Sequence, residues 1–398
     1  MKDKKKVLKN KNILLGITGG IAAYKAVDLI RRLKDEGASV TVIMTDASKN
    51  FITPLSLEIA SENRVYSDIF DNPMSHITLS RDADLMVIAP ATANIIGKFA
   101  NGIADDLLST CILSFKGKVV IAPSMNWRMY ENPIFQKNLN YLVSNGVIQV
   151  GPDKGTLACG EEGVGRMADV GDIIEAIKSA FSNKDLSEKK VIITAGPTRE
   201  YLDPVRFMSN RSSGKMGYAI ARACIRRGGE VILISGPSSL HPPGNLKSFT
   251  PVETAQEMRD AVFKHLTEAA IVIMAAAPAD FLPVIKEKTK IDKSDELIVR
   301  FKNTHDILSE IGALKNKPVL VGFAAETGDR LDRARKKLLQ KNADIIVFND
   351  VTSAGSGFDV DTNKITIIEK DSETPFPLMT KDEAAEAILD AVAKYFKK

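Results

Sequence analysis

The feature that most constrains this chain is a three-part theme that runs once and then restarts: an unbroken apolar strand, a glycine-containing turn, and a helix with one apolar face. Asn12–Ile17 (NILLGI) leads into TGGIAAYKA, after which Ala22, Ala23, Ala26, Val27, Ile30 and Leu33 recur at helical spacing. GASVTVIMT, DADLMVIAP and GKVVIAPSM repeat the strand, and DIIEAIKSAF reads as a closing helix. These apolar runs are too continuous for a sheet with one wet face, and fit strands buried on both sides of a parallel sheet. The polar stretch SNKDLSEKK at 182–190 interrupts the theme as a linker. It resumes in VIITAGPT, GKMGYAIARACIRRG and EVILISGP, continues through AAIVIMAAAPAD, PVLVGFAAET and ADIIVFNDV, and closes in AAEAILDAVAKYF. The pattern predicts an α/β chain of two doubly wound, mostly parallel-sheet, Rossmann-like domains, residues 1–184 and 185–398. In such sheets ligands bind beyond the carboxyl ends of the strands, where the glycine-rich turns lie.

Composition removes several function classes. With 398 residues, 44% of them apolar, the chain can fill two cores. A net charge of +4 and 6% aromatic residues argue against nucleic acid and suit small anionic ligands. Cys111, Cys159 and Cys224 are widely spaced, with no C-x-x-C pair and no histidine cluster. That disfavours zinc and a disulfide framework and points to a reducing cytoplasm. The basic start MKDKKKVLKNK runs straight into a strand, without an apolar signal core, and no apolar run reaches membrane length. An NAD-dependent dehydrogenase needs a G-x-G-x-x-G turn, which neither strand–turn–helix start supplies.

The unusual residues fall at strand ends. Gly19 and Gly20 would let backbone N–H groups approach a phosphate, or serve only as tight packing. Thr92 and Asn94, just after a strand, suit a flat heteroaromatic edge or a helix N-cap. Asn126, in PSMN, is an amide placed for a carboxylate or amide substrate. His76 has no metal-ligand spacing around it. Cys159, in GTLACGEEGVGRMAD, is a thiol among glycines in a loop, which suggests chemistry rather than packing. In the second half Arg199, Arg206, Arg211 and Lys215 crowd a strand-to-helix crossing whose sequence, SNRSSGKMG, resembles half a phosphate loop. Met216 stands where magnesium-holding Ser or Thr belongs, so the expectation is an anion at a bare helix start or a surface basic cluster. Asp280 ends another strand, and Lys288, Lys290, Lys293, Lys337 and Lys341 supply cations enough for a triphosphate.

In that order, APATAN, PSMN, ACGEEGVGRM, DPVRFMSNRSSGKMG, FAAET and NDV resemble one family over nearly the whole chain. It is the bifunctional coenzyme A biosynthesis flavoprotein, phosphopantothenoylcysteine decarboxylase fused to phosphopantothenate–cysteine ligase. The resemblance implies a flavodoxin-like N-terminal half that binds FMN, its phosphate at Gly19, Gly20 and Ile21, with Thr45 nearby and Thr92 and Asn94 along the flavin. His76 matches the family's active-site histidine, Asn126 its substrate-recognising asparagine and Cys159 the cysteine on its substrate-covering flap. The C-terminal half is implied to bind CTP through Met274, Ala275, Ala276, Asp280, Lys290, His305, Asp306, Ile307, Leu308, Phe323, Lys337 and Lys341. Magnesium would bridge the phosphates near Asp280, and Arg206 and Asn210 would handle the acyl-cytidylate. Pro197, Asp82, Asp292 and His305 depart from the family's usual residues. The resemblance further implies a homo-oligomer, a dodecamer of flavin-domain trimers and ligase-domain dimers.

The chemistry explains the residue types. Direct decarboxylation of a cysteine amide leaves an unstabilised carbanion, so the thiol is first oxidised and the C=S group becomes the electron sink; the electrons then return, and no NAD is consumed. On this reading Asn126 fixes the carboxylate, His76 assists oxidation and loss of CO2, and Cys159 returns a proton. Making the amide from 4′-phosphopantothenate and cysteine requires an activated acyl phosphate. Lys290 would stabilise charge as it forms, and Asn210 with Arg206 would orient it for the amine. Ligation precedes decarboxylation, because one product is the other's substrate.

Overall fold

The computed structural model describes residues 6–71, 74–156, 160–293, 296–328 and 330–396. The basic tail at 1–5 and Cys159 lie outside them. The chain divides between residues 182 and 183 into two compact units.

The N-terminal unit holds six strands, β1 Asn12–Ile17, β2 Ser39–Met44, β3 Val65–Tyr66, β4 Leu85–Ala91, β5 Lys118–Pro123 and β6 Ile148–Gln149. They pair in the order β3-β2-β1-β4-β5-β6, every pair parallel. The sheet is doubly wound, as its apolar runs predict. Its order, with β1 and β4 flanking the reversal of winding, is that of a Rossmann-like sheet. Because side chains alternate along a strand, each strand feeds two cores. Ile13, Leu15 and Ile17 of β1 join one core with the helices α1 (Ala26–Asp35), α2 (Pro54–Ser61) and α8 (Val170–Phe181). Leu14 of β1, with Met86 and Ile88 of β4, joins the other. Before α8 in sequence come α3 (Ser75–Asp82), α4 (Ala93–Ala100), α5 (Leu107–Ser114), α6 (Trp127–Tyr130) and α7 (Pro133–Ser144). Helices α4, α5 and α7 cover the second face. All seven residues of β4 are buried, and each such aliphatic side chain contributes about 1.5–3 kcal/mol relative to exposure. The helix expected after Gly20 begins with a 3-10 turn, Ile21–Lys25, because Ala23 N donates to Gly20 O three residues back (2.9 Å).

The C-terminal unit repeats the winding. Its strand β9 (Lys190–Ala195) lies between Glu230–Ser235 and Ile271–Met274. Ser248–Pro251 extends one side, and Val319–Glu326 then Ile345–Asp350 extend the other, all parallel. Ile365–Glu369 and Ser372–Pro375 complete the eight-stranded sheet as antiparallel edge strands. The helix α9 (Lys215–Arg226) packs on β9 with Ala219, Ile220, Ala223 and Cys224 buried. Gly217 permits the approach: a Cβ there would stand 2.6 Å from the Ala195 Cβ. The stretch expected to be a polar linker is anchored at its centre. Leu186 is buried in the core of this unit and its N–H bonds Arg227 O, while Asp185 pairs with the Arg227 guanidinium at 2.6 Å.

Candidate functional site

In the N-terminal unit, the chain after β1 turns one way and the chain after β4 the other, which opens a crevice between their carboxyl ends. Thr18, buried at the end of β1, joins the two turns: its hydroxyl donates to Pro90 O (2.7 Å) and accepts from Thr92 N (3.1 Å). Over this junction lies a cavity of about 860 Å³, lined by Gly19, Gly20, Ile21, Thr45, Thr92, Asn94 and Asn126 among others. Thr92 stands at the N-cap of α4 but makes no side-chain capping bond, so its hydroxyl is available to the cavity. A Cβ on Gly19 would meet the Ala47 Cβ at 2.5 Å, whereas one on Gly20 would find nothing nearer than Thr92 Cγ2 at 3.5 Å. Gly19 is thus required for packing and Gly20 leaves room beside the crevice.

Asn126 caps α6: its Oδ1 accepts from Arg128 N at 2.9 Å. The bond commits the oxygen and turns the amide NH2 outward, toward Glu161 Oε2 at 3.4 Å. Trp127 Nε1 donates to the same Glu161 oxygen (2.8 Å) and Arg128 Nη2 to the other (2.9 Å). Glu161 precedes the second strand of a hairpin, β7 (Asp153–Thr156) and β8 (Glu162–Arg166). Met125 N also bonds Gly165 O (2.9 Å), so the hairpin is docked along the start of α6.

Two groups in the cavity wall escaped sequence reasoning. Lys98 pairs with Asp105 (2.6 Å) and Asp106 (2.9 Å), and both Lys98 and Asp106 line the cavity. Burial alone would lower the Lys98 pKa; its bonds to the two carboxylates outweigh this and raise it. Burial would likewise raise Asp106, but the Ser109 N–H and Lys98 hold it below the usual carboxylate range. Both residues sit in the stretch GKFANGIADD, where the eight-residue spacing gave no sign of a pair.

His76 is not brought to this cavity. It lies on α3, its Nδ1 buried without a hydrogen-bond partner. Its carbonyl accepts from Ser114 Oγ (3.1 Å) and faces Cys111 Sγ (3.8 Å), which fixes α3 on α5. Burial pushes the Cys111 thiol up to about 11, so it is an inert neighbour.

In the C-terminal unit the crevice lies between the ends of β9 and Ile271–Met274. Ala276 N bonds Thr194 Oγ1 (3.2 Å), and Asn210 Nδ2 donates to Pro278 O (2.8 Å), so Met274, Ala275, Ala276 and Asn210 converge there. Asp280 follows, its side chain exposed. Lys337 donates to Phe323 O (2.8 Å), and Lys341 pairs with Asp306 Oδ2 (2.5 Å). Burial lowers the Lys337 pKa, with Asp306, Lys341, Glu326 and Asp280 also in its field. His305 meets Glu310 (3.0 Å), Ile307 and Leu308 are buried, and Lys290 is exposed. The described residues hold no group of three or more His, Cys, Asp or Glu side chains that could hold a metal.

The SNRSSGKMG segment is not a bare anion site. Lys215 pairs with Asp361 (2.7 Å) and donates to Asp359 O (2.8 Å). Arg211 pairs with Asp359 (2.7 Å), and Ser213 Oγ donates to Phe358 O (2.6 Å). Buried Lys381 holds the same loop from behind, donating to Gly357, Phe358 and Val360 carbonyls. The helix start is covered by the chain itself, and two of its cations are neutralised.

Residues 1–182 match the Flavoprotein family, and residues 186–396 match the DNA/pantothenate metabolism flavoprotein C-terminal domain. The chain is 46% identical over 400 residues to the coenzyme A biosynthesis bifunctional protein CoaBC of Bacillus subtilis (strain 168), covering 98% of each. It is 44% identical to that of Escherichia coli (strain K12), covering 97% of each. Among solved structures, it is similar to the C-terminal domain of a CoaBC protein, with 42% identity and TM-score 0.47, over 54% of this chain and 98% of that one. A PPC decarboxylase mutant complexed with pantothenoylaminoethenethiol matches 43% of this chain and 97% of its own, with 33% identity and TM-score 0.40.

Proposed function

This chain belongs to the family of bifunctional coenzyme A biosynthesis proteins, whose two halves are a ligase and a decarboxylase, and from that premise we propose its reactions in detail. The C-terminal unit joins cysteine to 4′-phosphopantothenate through an acyl-cytidylate made from CTP. The N-terminal unit then decarboxylates the 4′-phosphopantothenoylcysteine to 4′-phosphopantetheine with FMN. The observation that carries this reading is the N-terminal cavity, built where a doubly wound sheet binds nucleotides and walled by short hydroxyl and amide side chains.

The residues present fit FMN. Gly20 leaves space for close approach of a phosphate at the β1 turn, the uncommitted Thr92 hydroxyl and exposed Asn94 can bond a ring edge, and Thr45 borders the phosphate end. When bound, FMN supplies a reversible two-electron acceptor for the substrate thiol. The chain's own residues do the rest. Asn126 presents an N–H donor, not an oxygen, because its oxygen is committed to Arg128; a donor suits the substrate carboxylate. Cys159 supplies the proton to the decarboxylated product. His76 serves a neighbouring copy's cavity, a reading supported by its not lining its own cavity and by the exposed Met74 and Ile77 beside it. That arrangement accords with a cytoplasmic homo-oligomer, trimeric in its flavin units, dimeric in its ligase units and dodecameric as a whole.

In the ligation half, Met274, Ala275, Ala276, Asp280, His305, Asp306, Ile307, Leu308, Phe323, Lys337 and Lys341 surround the nucleotide. Lys290 stabilises charge as the acyl phosphate forms, and Asn210 orients it. Among the described residues the donor set does not fit a metal caged by protein, since it lacks three clustered ligands. Magnesium accompanying the triphosphate would rest chiefly on phosphate oxygens and water.

The decisive experiment incubates purified protein with 4′-phosphopantothenate, cysteine, magnesium and each nucleotide in turn. CTP should yield pyrophosphate, CO2 and 4′-phosphopantetheine. Product with ATP but none with CTP would refute the nucleotide assignment, and failure to make CO2 from supplied 4′-phosphopantothenoylcysteine would refute the first half.

A further inference from the structure

A buried carboxylate lies in the C-terminal unit where no step of the chemistry uses it. Asp203 is fully buried. Its Oδ1 accepts from Val205 N and Arg206 N, both at 2.7 Å, and its Oδ2 accepts from Arg206 Nη1 (2.9 Å) and Ile291 N (3.1 Å). Arg206 Nη1 also donates to Ile291 O (2.9 Å). The first two bonds close the turn between Arg199–Tyr201 and Phe207–Ser209, an antiparallel pair. The Arg206 Nη1–Asp203 bond stays within the turn, and the two bonds to Ile291 reach across to a different stretch, 284–293, which has no helix or strand of its own. A further backbone bond, Glu287 N to Leu202 O (2.9 Å), ties that stretch to the same turn. Lys290 lies between these two ties and next to Ile291, with its side chain exposed.

We propose that Asp203 is a positioning residue of the ligation half: through Ile291 and the Arg206 guanidinium it holds the segment that carries Lys290. The proposal rests on the reading that Lys290 acts on the nucleotide. It also gives Arg206 a holding role, since the same guanidinium nitrogen serves Asp203 and Ile291 O. Four donors converge on this side chain, and only an ionised carboxylate offers acceptors to all of them; an amide would turn its NH2 against two N–H groups. The backbone donors and the guanidinium more than offset burial and hold the Asp203 pKa at about 2, so the carboxylate is ionised at working pH. An otherwise irregular segment is thereby fixed at one point while its lysine stays open to ligand.

The test uses the full-length protein with Asp203→Asn and, because a buried substitution can impair folding, Ile291→Pro, which deletes the loop-side N–H donor and also restricts the backbone at Ile291 and Lys290. A cooperative thermal unfolding transition of the C-terminal unit near the wild-type temperature checks that each variant folds. Tryptic cleavage after Lys286 and Lys288 should quicken about tenfold in both variants, and kcat for pyrophosphate release should fall about tenfold or more. Wild-type rates of cleavage and of pyrophosphate release in both variants would overturn the proposal, as would faster cleavage with undiminished kcat. Lys290→Gln, assayed alongside, separates the two layers. Full activity there refutes the role of Lys290 itself. Its loss, with unaltered Asp203→Asn and Ile291→Pro, refutes only the tie.

Discussion

Gly19 and Gly20 are adjacent, yet their replacement by alanine should fail in opposite ways. At Gly19 the new Cβ would stand 2.5 Å from the Ala47 Cβ and 3.0 Å from the Ala47 carbonyl carbon, with no flexible side chain to give way. Forced overpacking of this kind costs about 1–3 kcal/mol. In a unit of this size that lowers Tm by about 2–12 °C. Gly20 has φ −142° and ψ 152°, extended backbone open to any residue, and its nearest neighbour would be Thr92 Cγ2 at 3.5 Å, an ordinary contact. Gly20→Ala should therefore leave the flavin-free protein as stable as before, or about 0.4–1 kcal/mol more stable because the unfolded chain loses freedom. If the FMN phosphate lies at this turn as proposed, the new methyl takes up its space of approach, and loss of about 1–3 kcal/mol there should weaken FMN binding about 5- to 150-fold. Thermal unfolding of flavin-free protein gives the first quantity, and titration by flavin fluorescence gives the second. If Gly20→Ala lowers Tm as far as Gly19→Ala and binds FMN normally, the phosphate is not at this turn.

Other outcomes follow from single contacts. Glu161→Ala removes the partner of Trp127, the chain's one tryptophan. Emission of the flavin-free protein should shift to the red and KM for decarboxylation should rise several-fold, and unchanged emission would show that the carboxylate does not hold the indole. Asp203 has a pKa depressed to about 2 in the fold, so its contribution is complete above the unfolded value of about 4 and is lost as pH falls toward 2. Hydrogen exchange at the Ile291 amide should lose protection in that window, and constant protection across it would contradict the assignment. Lys337→Met keeps the volume but removes the cation and leaves Phe323 O without its donor. It should cost about 1–3 kcal/mol of stability and raise the nucleotide KM about tenfold; a normal KM would place the triphosphate elsewhere.

The elements read most clearly from sequence are those whose physics is local. Leu85–Ala91 is buried at every position and so appears as an unbroken apolar run, and the turn after β1 announces itself by paired glycines. The site was legible only where its residues end strands, as Thr92 and Asn126 do. Charge pairing was not legible. Lys215 looked available for phosphate, but its partner Asp361 lies far along the chain and nothing in either local stretch points to the other. Glu161 was an unremarked letter in a glycine-rich motif, because its link to Trp127 exists only once the β7–β8 hairpin docks. In DPVRF nothing local marks Asp203 above the arginine three residues on, although the buried carboxylate gathers more bonds.

The antiparallel strand Ser372–Pro375 ends the larger sheet exposed at every position, with Glu373 paired to Arg335 and proline as its last residue. A second molecule laid against that margin would meet a charge and a residue with no N–H to give. Chains crowded together during synthesis therefore gain little by stacking there, and growth of the sheet into a fibril stops at its own hem.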